Sequence, residues 1–185
     1  MASVMPFDEL NAFKEALPIH FENGRIRSKQ DCEDIIDELF DLFLLSLANG
    51  VNSVNEQFNA DISLSIDDVD RIINTKIDGE TWKDRVWKWY ETGGTEADIV
   101  RIAETESHRD ANQGAFDAAT RAGAKTKTWH CMMLPTSRDT HVYLDGVTTP
   151  MDGEFYSFKG GSTQFPGQWG IAEEDINCLC WLTFS

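Results

Sequence analysis

The sequence predicts an α+β protein, with a helical first half followed by one long helix packed on a short antiparallel sheet. Three observations carry this. Apolar residues recur at helical spacing in several segments before residue 95 and in a long one after it. Ser28, Ser65, Thr81 and Thr95 precede these segments, each with an aspartate three positions on, the pattern of an N-terminal capping box. From Lys125 onward the composition shifts to β-formers separated by turn dipeptides. The expected organisation is a helical arm over 1–94 and a compact domain over 95–185.

The elements follow in order. Residues 1–27 combine Pro6, Pro18, Asn23 and Gly24 with short apolar pieces around Leu10, Phe13 and Leu17, giving a marginal helix and then a loop. Ser28 opens a helix whose stripe is Ile36, Leu39, Phe40, Phe43 and Leu47, widened by Ile35, Leu42 and Leu44, and Gly50 is its expected stop. Residues 51–64 are either loop or a continuation of that helix. Ser65 opens a second helix through Val69, Ile72 and Ile73, ending by Asp78-Gly79. Thr81 caps a third, bearing Trp82, Val86, Trp89 and Tyr90 and broken by Gly93-Gly94. These apolar positions have two readings. Either they are core, or Ile36, Phe40, Phe43, Leu47, Trp82 and Trp89 form a docking surface for a partner protein.

The long helix spans Glu96 to Ala122, with Ile99, Ile102, Ala103, Phe116 and Ala119 on its apolar side and Gly123 after it. Arg101, Thr105, His108 and Asn112 fall on one polar stripe. That stripe is either a solvated face or a wall for later segments. Strands are expected over Thr126–Met133, Val142–Leu144, Glu154–Phe158 and Cys180–Phe184, with one helical turn at Ala172–Asp175.

Composition narrows the function. The chain carries 16 basic and 32 acidic residues, a net charge of −16. The excess is spread over both halves, so the overall field repels phosphate backbones and argues against a DNA-handling role. No run of about 18 apolar residues is present, so no membrane span is expected. The segment MASVMPFDEL lacks the basic head and apolar run of a secretory signal. With four cysteines, this predicts a reducing compartment and free or metal-bound thiols.

Two stretches carry the chemistry: Trp129 to Gly146, and Asn177-Cys178-Leu179-Cys180. Cysteines one residue apart suit thiolate ligation better than a mutual disulfide, whose ring would be too small. His141 is the natural third ligand of a structural zinc, which takes four N/S donors. The fourth is open among His108, Cys131, His130 and Asp139. The alternative is a metal-dependent or thiol enzyme, with His141 serving Cys178 or Cys180 and a carboxylate from Glu104 or Glu106. The sequence contains no GxSxG, HExxH, P-loop or dinucleotide fingerprint to support catalysis.

These residues also carry a resemblance. The order Arg101-Ile102-Ala103-Glu104-Thr105-Glu106, Asn112, Trp129, Arg138-Asp139-Thr140-His141, Leu144-Asp145-Gly146 and Asn177-Cys178-Leu179-Cys180 resembles the phage Mu F-like minor head proteins, or phage head morphogenesis proteins. Phe155, Pro166 and Gly167 fall where that family carries a Phe and a Pro-Gly. The chain departs from the family at Leu134 and Thr136, where members often carry an Asp and an Arg, and at Leu179, where an Arg is common. The resemblance implies a low-copy structural protein of the virion, assembled near the portal vertex in the host cytoplasm. Its implied partners are the portal and other procapsid proteins, and no firm catalytic activity is implied.

Overall fold

The computed structural model describes residues 7–185. Pro6, counted with the first segment, lies outside them. The fold is α+β, as expected. In chain order it comprises α1 (Phe7–Ala16), a 3-10 turn (Leu17–His20), β1 (Phe21–Glu22), β2 (Arg25–Ile26), α2 (Lys29–Phe58), α3 (Ile66–Ile73), α4 (Trp82–Thr92) and α5 (Glu96–Ala122). The second part holds β3 (Thr126–His130), α6 (Asp139–Leu144), β4 (Thr148–Pro150), β5 (Phe155–Tyr156), β6 (Ser162–Thr163), α7 (Ala172–Asp175) and β7 (Trp181–Phe184).

The helix starts form as their sequences dictate. The Ser28 hydroxyl accepts from the Asp31 N–H, and full capping boxes form at Ser65/Asp68 and Thr81/Asp84. At the head of α5, the Asp98 carboxylate accepts from both the N–H and the hydroxyl of Thr95. The long helix ends at Gly123, whose φ of +82° costs a residue without a Cβ nothing.

Gly50 does not stop α2. The helix runs on to Phe58 and is capped by Asn59 in the left-handed region. The reason is helix packing. A Cβ on Gly50 would overlap the Ala111 carbonyl oxygen, and one on Gly114 would lie 2.5 Å from the Leu47 carbonyl oxygen. The two glycines let α2 and α5 come together almost backbone to backbone. Gly50 is a packing residue, not a terminator.

The interior holds two apolar clusters, and both α2 and α5 contribute to each. One gathers Leu10, Phe13, Leu17, Ile35, Leu39, Phe43, Ile73, Trp82, Val86, Ile99 and Ile102. The other gathers Val51, Val54, Phe116, Trp129, Phe155, Phe165, Leu182 and Phe184 with Cys131, Cys178 and Cys180. This corrects half of the expected docking stripe. Phe43, Leu47 and Trp82 are 0%, 2% and 0% exposed, and Phe43 meets Trp82 edge to face at 5.0 Å. They are core, because a stripe as wide as that of α2 is wanted by α4 and α5 together. Ile36, Phe40 and Trp89 are half-buried at its margin.

The main sheet has strand order β4-β3-β7, antiparallel throughout, with Trp129 opposite Leu182 and His130 opposite Trp181. Lys127, at its centre, is fully buried, donates to the Met151 carbonyl at 2.9 Å and lies over the Phe116 ring. β5 and β6 form a two-stranded ribbon that covers part of the strand expected over Glu154–Phe158. The strand expected over Val142–Leu144 is instead the end of α6. A β-forming run this short is overruled by tertiary context: as a helix it buries His141 and Leu144 and leaves Val142 and Tyr143 outside.

Candidate metal centre

The site joins three elements. α6 presents His141, α7 presents Glu174, and the extended segment between α7 and β7 presents Cys178 and Cys180. In extended chain, residues two apart face the same side, so both thiols point inward while Leu179 between them is exposed. His141 Nδ1 lies 3.6 Å from Cys178 Sγ and 3.5 Å from Cys180 Sγ. All three residues are buried, and all four cysteines of the chain are free thiols.

The other face of the imidazole is built too. His141 Nε2 lies 3.0 Å from Glu174 Oε2, which also accepts from the Thr140 hydroxyl at 3.0 Å. Trp169 stacks on the ring at 6.2 Å between centroids, and Trp129 meets it edge-on at 5.7 Å. Asp175 fixes the Trp169 loop by accepting from the N–H groups of Trp169 and Gly170 at 2.9 and 2.6 Å. Burial nonetheless raises its pKa to about 6. The thiols share their proton unequally. The Cys178 thiol is pulled well below its ordinary range, first by the hydrogen bond from Cys180 and then by His141, while Cys180 is pushed up by the same bond and by burial.

The polar stripe of α5 is the wall on which this segment rests. Thr105 Oγ1 accepts from the Asn177 N–H at 3.2 Å. His108 Nε2 and Asn112 Nδ2 both donate to the Cys180 carbonyl, at 2.5 and 3.0 Å. Thr105, His108 and Asn112 are therefore buried, and of the four stripe residues only Arg101 faces solvent, pairing with Asp98. Arg138 adds a bond to the Ile176 carbonyl from the opposite side.

The remaining candidates separate cleanly. His108 addresses the Cys180 backbone rather than the thiols. His130 bonds the Thr183 hydroxyl at 2.8 Å and stacks on Trp181, and Asp139 is exposed at the start of α6. Cys131 lines a cavity of about 30 Å³ together with His141, Cys178 and Cys180. Glu104 is engaged by Lys14 at 2.5 Å, and Glu106 is fully buried between Arg85 and Arg109. Neither carboxylate serves the cysteine cluster as a base. Sequence reasoning missed Glu174, Trp169 and Asp175. A run of three acids ending two residues before the Cys-x-Cys was the available signal.

Comparison with known proteins adds two partial likenesses. No protein-family profile matches the chain, and no solved structure matches it. Over 115 residues, 59% of this chain and 23% of the relative, it is 31% identical to the NAD(+)–arginine ADP-ribosyltransferase EFV of Enterococcus faecalis strain ATCC 700802 / V583. Over 85 residues, 44% of this chain and 28% of the relative, it is 35% identical to the Minor head protein GP7 of Bacillus phage SPP1. The matched stretches thus span only about a quarter of either relative's length. No helix among the described residues is long and apolar enough to cross a membrane.

Proposed function

We propose that this chain is a minor head protein of a tailed phage or prophage, a structural component that joins the procapsid near its portal vertex. The observation that carries the reading is the 35% identity to the SPP1 minor head protein, taken with a site built for closure rather than turnover. His141, Cys178 and Cys180 are 2%, 3% and 2% exposed, so no substrate reaches them without the segment opening. What they do instead is fasten the C-terminal strand to α5 and hold a shape for portal and capsid partners. Half-buried Ile36, Phe40 and Trp89 at the rim of the helical layer supply apolar contacts for those partners.

Tagging the chain in the phage or prophage that encodes it tests this. The tagged chain is expected to remain with purified procapsids and virions in a few copies per particle. Heads that assemble and infect normally without any trace of it would overturn the proposal.

A second reading rests on the Enterococcus relative, whose name is that of an ADP-ribosyltransferase. It is weaker, because the shared part spans 23% of that protein and a match of similar strength leads to a head protein. Transfer of ADP-ribose from NAD+ to an arginine substrate by the purified chain would favour it. Turnover lost on His141→Ala, with particle assembly unchanged, would favour an enzyme built on the cysteine cluster.

A further inference from the structure

We propose that Cys131 completes a tetrahedral Zn2+ site with His141, Cys178 and Cys180, and that Glu174 is its outer-shell carboxylate. The inference concerns this chain's own residues and stands whether or not the chain is a head protein.

The separations carry the argument. The ligand atoms of His141, Cys178 and Cys180 all lie within 4.8 Å of one another. Bond lengths of about 2.1 Å to nitrogen and 2.3 Å to sulfur in a tetrahedron place neighbouring donors roughly 3.6 Å apart. The two nitrogen–sulfur separations, 3.6 and 3.5 Å, have the length of that tetrahedron's edges.

His141 also has the required orientation. Nδ1 faces the thiols while Nε2 faces the buried Glu174 carboxylate at 3.0 Å. A carboxylate on the far nitrogen of a metal-bound histidine fixes its tautomer and strengthens it as a ligand. Glu174 is itself held by Thr140, so the shell is set before any ion arrives.

Three donors leave a fourth position, and Cys131 is placed to fill it. It follows β3 directly and is anchored by its N–H, which donates to Asp145 Oδ1 at 2.8 Å. Its thiol is a hydrogen-bonding neighbour of Cys180, and its side chain shares the walls of the 30 Å³ cavity with the other three ligands. A space of that size suits a single ion or water rather than an organic substrate. A closed site with four protein ligands is structural, since catalytic zinc keeps a position open. The remaining cysteine, Cys32, is buried in the other apolar cluster and is a built-in control.

The test uses the full chain, purified without chelator, and measures zinc content and then the absorption of the cobalt-substituted protein. About one zinc per chain is expected, with a thiolate-to-cobalt charge-transfer band of three-sulfur intensity. Cys131→Ser should reduce that band to two-sulfur intensity, and Cys32→Ser should leave it unchanged. Zinc below about a tenth of an equivalent per chain would remove the site. A two-sulfur band in the unaltered chain would remove Cys131 from it, even if the serine variant fails to fold.

Discussion

The helical layer and the sheet layer are held together by different physics. The helical layer, from α1 to the first half of α5, is a continuous apolar core in which each helix buries a stripe and caps its own ends. The sheet layer has strands of two to five residues and concentrates its order at a few buried polar contacts: His141 with the two thiols, Asp175 with two backbone N–H groups, and Lys127 with Met151. Redundant packing tolerates a lost contact by sharing the cost among neighbours. Point contacts do not, so the sheet layer is expected to be selectively fragile at named residues.

The contrast can be broken most forcefully in the helical core. Trp82→Ala removes the largest fully buried side chain and its contact with Phe43, and should cost about 4 kcal/mol in denaturant unfolding. A loss under about 1 kcal/mol would mean that the core is not shared as described. Gly50→Ala drives a methyl into the Ala111 carbonyl, and about 3 kcal/mol of destabilisation is expected from forced separation of α2 and α5. The same substitution at Gly24, where a Cβ meets nothing within 4 Å, serves as a comparison for the left-handed backbone effect alone.

A smaller effect sharpens the account of the sheet layer. Burial lowers the Lys127 pKa from 10.5 to about 8. Between those values the unfolded chain binds the proton and the folded chain does not, so this residue's contribution to stability is full above pH 10.5 and is lost as pH falls to about 8. Subtracting the stability–pH curve of Lys127→Met from that of the unaltered chain should give a difference rising across that window. A flat difference would show that the ammonium is not desolvated. Smallest of all, Thr81→Ala should cost about 1 kcal/mol by unmaking the cap of α4, and should leave the sheet layer untouched.

The same difference explains what was legible in the sequence. Helix starts are local, so Ser28, Ser65, Thr81 and Thr95 announced themselves, and α5 runs between the residues expected, Glu96 and Ala122. Gly50 misled because a helix terminator and a close-packing glycine look alike until the neighbouring helix is known. Val142–Leu144 misled because its β-forming residues are spent on a helix that aims His141 inward. The stripe Thr105–His108–Asn112 was visible, but its role as a wall depends on Asn177 and Cys180, about 70 positions away. Of the site, His141 and the two cysteines were readable from their chemistry. Glu174 and Trp169 were not, since nothing local distinguishes an outer-shell acid from a surface one.

Hydrogen exchange on Cys178→Ser, followed amide by amide beside the unaltered chain, tests the central claim most directly. If the clasp fastens the sheet layer while the helices hold themselves, protection should fall in β3 and β7 and persist in the buried turns of α2 and α5. Protection that survives in both layers, or collapses in both together, would contradict it.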